Sequence, residues 1–187
     1  YRIGELCPDV QRYVERQSQR TVHIMHTEAP LWRRDFLQAA SAGWREDLSV
    51  AEEWEYYIRL LVQRPQLVNM PEDLFWVRHH EGEQLSKSFV SLKHILSFYR
   101  AISGVEEMLR PTEFWTSPVR AGLLLRARSS YMCLLRSEET VSLKEYESWL
   151  VRLAKSVPDW RVVVFIWLRK IVGKNLLISI FKTIRVS

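Results

Sequence analysis

Gly43-Trp44-Arg45-Glu46-Asp47-Leu48-Ser49-Val50-Ala51-Glu52-Glu53-Trp54-Glu55-Tyr56-Tyr57-Ile58-Arg59 places a helix behind a polar loop. Gly43 and the run Arg45-Glu46-Asp47 have loop composition. Ser49-Val50-Ala51-Glu52 reads as a capping box, with the Ser hydroxyl accepting from the N3 amide and Glu52 reaching back. Val50, Trp54, Tyr57, Ile58 and Leu61 recur at helical spacing and predict one apolar face. Glu53 points along that same face. Glu52 belongs to the cap and Glu55 pairs at i,i+4 with Arg59; neither of these local roles falls to Glu53. A carboxylate in a first helical turn is held by the positive end of the helix dipole. Taken by itself, Glu53 reads first as a half-exposed carboxylate at the rim of the helix face, and second as a general base opening on a cleft.

Working outward, Pro30-Leu31-Trp32-Arg33-Arg34 precedes this stretch, and Arg78-His79-His80 with Ser86 and Ser88 follows it. In this order and spacing the chain resembles the family 2 glycosyltransferases, over about Thr21 to Ser88. In that family an Arg-Arg pair precedes a glycine-rich aromatic turn, and a Glu-Asp pair opens the next helix. The Asp of that pair is the base that deprotonates the acceptor hydroxyl. Glu53 stands at its position here, with Glu52 before it, and Ala42 replaces the first glycine. The resemblance implies that Arg78, His80 and Ser86 lie against the donor diphosphate, with His80 also a candidate metal ligand. Trp44 and Trp54 would stack on the acceptor. It further implies a nucleotide-sugar donor, a glycan or lipid-linked acceptor, and Mg²⁺ or Mn²⁺ bound mainly outside this chain. Without the family, Arg78 and His80 read equally well as an exposed loop beside Glu81 and Glu83.

The chain has 187 residues, 47% of them hydrophobic and 12% aromatic, which is globular composition and not that of a disordered chain. Cys7 and Cys133 lie far apart and suit free thiols in a reducing compartment. A cytoplasmic protein is expected, at or near the inner face of a membrane. No Cys/His cluster suggests zinc. The start, Tyr1-Arg2-Ile3-Gly4, reads neither as a signal peptide nor as an initiator segment, as if cut from a longer polypeptide. The family's nucleotide-binding half ends in an Asp-x-Asp motif, and none occurs in these residues. The expected fold is therefore mainly α with a few short strands. Residues 1–88 form the acceptor-side, C-terminal half of a GT-A type α/β domain, and 89–187 an antiparallel helical appendage.

In chain order, Pro8-Asp9 starts a short helix, and Thr21 to His26 has strand composition. A helix runs from Arg34 to Ala40, and Arg64-Pro65 ends the Glu53 helix. Gln66 to Met70 and Leu74 to Arg78 read as short strands. Beyond Ser88 only helices are expected: one with Phe89, Leu92, Ile95, Leu96 and Tyr99 on one face, ended by Gly104; a turn from Glu106 stopped by Pro111; a helix over 118–136; and one opened by a second capping box at Ser142. Pro158-Asp159 caps the last segment.

From Arg161 to Ser187 there are six basic residues and no acidic one, interleaved with Val162 to Leu168 and with Ile180-Phe181. The apolar runs break too early to span a bilayer, which takes ~20 residues. The segment reads first as a buried terminal helix with charges at its rim, and second as a basic amphipathic helix on an anionic membrane surface. No nucleic-acid recognition motif accompanies the charge. The competing function class is a non-catalytic helical interaction or membrane-surface module.

Overall fold

The computed structural model describes residues 9–19, 30–40, 43–68, 91–136, 143–157 and 160–172. They contain seven helices: α1 (Val10–Ser18), α2 (Arg34–Ala39), α3 (Glu52–Leu61), α4 (Leu92–Leu109), α5 (Ser117–Arg136), α6 (Leu143–Lys155) and α7 (Trp160–Val172). No strand occurs among the described residues. Within the expected strand Gln66 to Met70, residues 66–68 are irregular, and Leu67 packs against the main core instead of pairing. The other expected strands, at 21–26 and 74–78, lie outside the described residues.

Helices α4 to α7 pack successively along the chain, while α1 sits against α3 and α5, and α3 against α4. One hydrophobic cluster joins Val14, Trp54 and Ile58 to Ile102, Leu123, Tyr146, Leu150 and Ile166. The core thus runs continuously across residue 88. A second, smaller cluster sets Tyr56, Tyr57 and Leu60 of α3 against Trp32, Phe36 and Leu37.

α4 corrects two expectations. Gly104 does not end the helix, and Glu106 to Arg110 is no separate turn: α4 continues to Leu109, just before Pro111. Mid-helix Gly costs roughly 1 kcal/mol against Ala, and the full burial of Ala101, Ile102, Val105 and Leu109 around it outweighs that. Glu106 is itself buried; it accepts from Trp149 Nε1 at 2.9 Å and pairs with Arg110. Asp9 caps α1 as expected, accepting from the Gln11 amide at 2.9 Å. Ser142 lies outside the described residues, so its capping box does too.

The last helix is docked, not loose. Val162 and Ile166 are buried in the main core. Arg169 meets Glu147 of α6, whose carboxylate also accepts from the Tyr131 hydroxyl at 2.5 Å. Burial, and then the Glu147 carboxylate, push the Tyr131 phenol above its ordinary value, which keeps it a donor.

Candidate functional site

The loop into α3 is fastened from behind. Ser97 of α4 is buried, and its hydroxyl oxygen accepts from the Ser49 amide at 2.8 Å and the Val50 amide at 3.2 Å. Leu48 and Val50 are buried beside it. The expected capping box does not form. The helix begins two residues later than that box requires, at Glu52, and Ala51 occupies the cap position with φ 61° and no side-chain bond. The latch to Ser97 takes the Ser49–Val50 amides out of the cap, and the chain turns into α3 through a left-handed Ala51. That conformation costs an L-residue roughly 1–2 kcal/mol.

α3 is also buried on more sides than one apolar face provides. Trp54, Ile58 and Leu61 enter the main core, whereas Tyr57 belongs with Tyr56 and Leu60 in the α2–α3 cluster. Glu53, Tyr56, Tyr57 and Leu60 follow one another at i, i+3, i+4 and i+7. Glu53 therefore heads the aromatic stripe and not the Trp54 stripe. Both Glu52 and Glu53 are half-buried, in the first turn of α3.

Arg59 completes the surroundings. Its guanidinium binds both oxygens of buried Glu55 at 3.0 Å, donates to the Gly43 carbonyl at 2.8 Å and lies over the Tyr56 ring at 5.4 Å. The expected Glu55–Arg59 pair thus forms, and it also holds the loop that carries Trp44. Trp44 stacks on Tyr56 with ring centroids 4.4 Å apart and planes 12° off parallel. Its side chain remains 48% exposed, so it presents aromatic surface to solvent. On the other side of the stripe, Trp32 stacks on Phe36 and lies 6.2 Å from Tyr57. Arg33 and Arg34 face solvent, with Arg33 paired to Asp35 at 2.7 Å.

Trp54 is placed differently from Trp44. Only 7% exposed, it donates from Nε1 to the Gln17 carbonyl at 2.7 Å and carries the Arg126 guanidinium over its ring at 4.7 Å. Arg126 in turn donates to the carbonyls of Gln17, Ser18 and Gln19 at 2.9–3.0 Å. Trp54 and Arg126 together cap the last turn of α1, so the indole of Trp54 is engaged inside the protein. Arg78, His80 and Ser86 lie outside the described residues.

Of the expected site residues, then, Glu52 and Glu53 lie in the first turn of α3, and Trp44 lies on Tyr56, one turn further along the helix. A concavity elsewhere went unnoticed in the sequence. About 450 Å³ in volume, it lies between α4 and α6, lined by Tyr99, Arg100, Glu107, Glu145, Trp149 and Arg152 among others. Its charges come from two helices far apart in the chain, and no local spacing announces it. Among the described residues no group of three His, Cys, Asp or Glu is placed to hold a metal ion. Comparison with the models of known families, with curated proteins and with solved structures finds no match to this chain.

Proposed function

We propose that this chain is the acceptor side of an inverting, family 2-like glycosyltransferase, with Glu53 as its general base. The observation that carries the reading is the placement of Glu53: a half-buried carboxylate heading the stripe of α3 on which Trp44 is stacked. A sugar acceptor asks for this pair. The apolar C–H face of a pyranose lies on an exposed aromatic surface, and a carboxylate within reach takes the proton of the attacking hydroxyl.

In this reading the acceptor oxygen attacks C1 of the donor sugar from the face opposite the diphosphate. The new C1–O bond forms as the bond to the diphosphate breaks, so configuration inverts, and the hydroxyl proton passes to Glu53. The leaving diphosphate carries off the bonding pair. By the resemblance, Arg78, His80 and Ser86 offer it charge-assisted hydrogen bonds. The donor's nucleotide belongs to an Asp-x-Asp half that these residues do not include. The resemblance calls for Mg²⁺ or Mn²⁺ there; no group of described residues fits such an ion, and no step assigned to this chain runs through one.

The test is Glu53→Gln in the full-length protein, with nucleoside diphosphate release followed over a panel of nucleotide sugars and acceptors. Removing a general base lowers turnover ~10²–10⁴-fold, while donor affinity in titration calorimetry stays near that of the parent. Full activity in Glu53→Gln overturns the assignment, and loss in Glu52→Gln alone moves it one residue back.

A further inference from the structure

α7 is built unlike an ordinary surface helix. Its inward face carries Val162 and Ile166, both buried, and Arg169, held by Glu147. A surface helix packed this way turns polar side chains to solvent. Here the residues roughly opposite are Val164, Trp167 and Ile171, which are 39%, 59% and 60% exposed. Their spacing of three and four residues makes them one continuous ridge. The exposed residues Arg161 and Lys170 flank the ridge on its two sides, and α7 contains no acidic residue.

We propose that this outer face of α7 seats the protein on an anionic lipid surface. Trp167 and Ile171 would enter the boundary between headgroups and acyl chains, with Lys170 and Arg161 against lipid phosphates. The proposal stands apart from sugar transfer and does not depend on it. Three arguments favour lipid over a protein partner. A ridge of three side chains falls well short of the ~800 Å² that each partner commonly buries in a stable protein interface. An exposed tryptophan on the ridge matches the preference of indole for the membrane boundary, where one edge is apolar and the other wet. Flanking cations with no anion between them complement a negative surface, each worth roughly a five-fold gain in partitioning. The helix lies on the surface and does not cross it: its 13 residues reach about 20 Å, short of a ~30 Å hydrocarbon core.

The experiment is co-sedimentation of the full chain with vesicles of phosphatidylcholine alone or mixed with phosphatidylglycerol, at low and high salt. The parent is expected to sediment with the anionic vesicles, less at high salt, and weakly with the neutral ones. Trp167→Ser combined with Ile171→Ser should lower partitioning on the order of tenfold or more, with helical circular dichroism unchanged because both side chains are exposed. Lys170→Glu removes no apolar surface, so it keeps the test decisive should the double variant lose helix; it should lower anionic binding several-fold. The proposal is overturned if the parent ignores anionic vesicles, or if neither variant binds less. It is overturned too if sedimentation velocity shows a dimer that the double variant abolishes while vesicle binding is absent, since a second copy then covers the ridge.

Discussion

Arg169 of α7 reaches inward to the Glu147 carboxylate of α6 at 2.5 Å, and that carboxylate side chain is 3% exposed. The pair is closed by Tyr131 from α5, so one carboxylate ties three helices together. Glu147→Ala would leave a cation and a phenol buried with their acceptor gone. Breaking one side of a buried pair costs about 3–5 kcal/mol, and a urea melt of the variant should show a loss of that size. Replacing all three members, Glu147→Leu with Arg169→Met and Tyr131→Phe, should recover most of it, because the apolar side chains leave neither a buried charge nor an orphaned hydroxyl. An unchanged melt for Glu147→Ala would mean that α7 is not docked through this pair in solution.

Two glycines make opposite predictions. A Cβ on Gly122 of α5 would lie 2.6 Å from the Ser18 carbonyl oxygen, at the end of α1, whereas on Gly104 of α4 it would meet only the tip of the Arg45 side chain at 2.9 Å. Backbone cannot step aside as a guanidinium can. Gly122→Ala should therefore destabilise by about 1–3 kcal/mol as an overpacked contact. Gly104→Ala should be neutral or stabilising by up to ~1 kcal/mol through helix propensity. Thermal melts of the two variants side by side decide it, and equal shifts would contradict the close approach of α1 to α5.

Trp44 gives a prediction specific to the acceptor. Its ring rests on Tyr56 and contributes little to either core, so Trp44→Ala should leave the melting temperature nearly unchanged. Under the proposed sugar transfer, the KM of the full-length protein for acceptor should rise on the order of tenfold, given ~1–1.5 kcal/mol for a lost aromatic contact, with donor KM unaffected. A rise in donor KM alone would place the exposed ring on the wrong substrate.

Most helices were legible because their signals are local. Asp9 as the cap of α1 and the Glu55–Arg59 pair each depend on residues within a turn of one another. What escaped reading came from tertiary partners. Ser49 reads as a cap until Ser97, from a helix beyond residue 90, claims its amide. Gly104 reads as a stop until burial on both sides of it carries the helix through. Trp44 and Trp54 look alike in the sequence, and only the arrival of Arg126 and α1 separates the buried one from the exposed one. For the candidate site, the sequence named Glu53 and Trp44, but the apolar face it assigned to Glu53 was the Trp54 face. The second cluster, built with α2, was needed to see that Glu53 heads the aromatic one.

The grip of Arg126 on the end of α1 also sets an order of events during synthesis. The three carbonyls it binds belong to residues 107 to 109 positions earlier in the chain. At ~5–20 residues per second, α1 leaves the ribosome roughly 5–20 s before the residue that holds it. Through that interval Tyr13 and Val14 have no α5 to pack on, and a short helix of this length does not persist alone in water. Until Arg126 and the rest of α5 have been made, α1 has only α3 to pack on, and a nascent chain halted before Arg126 would display the α5-facing side of α1 to whatever chaperone stands at the exit.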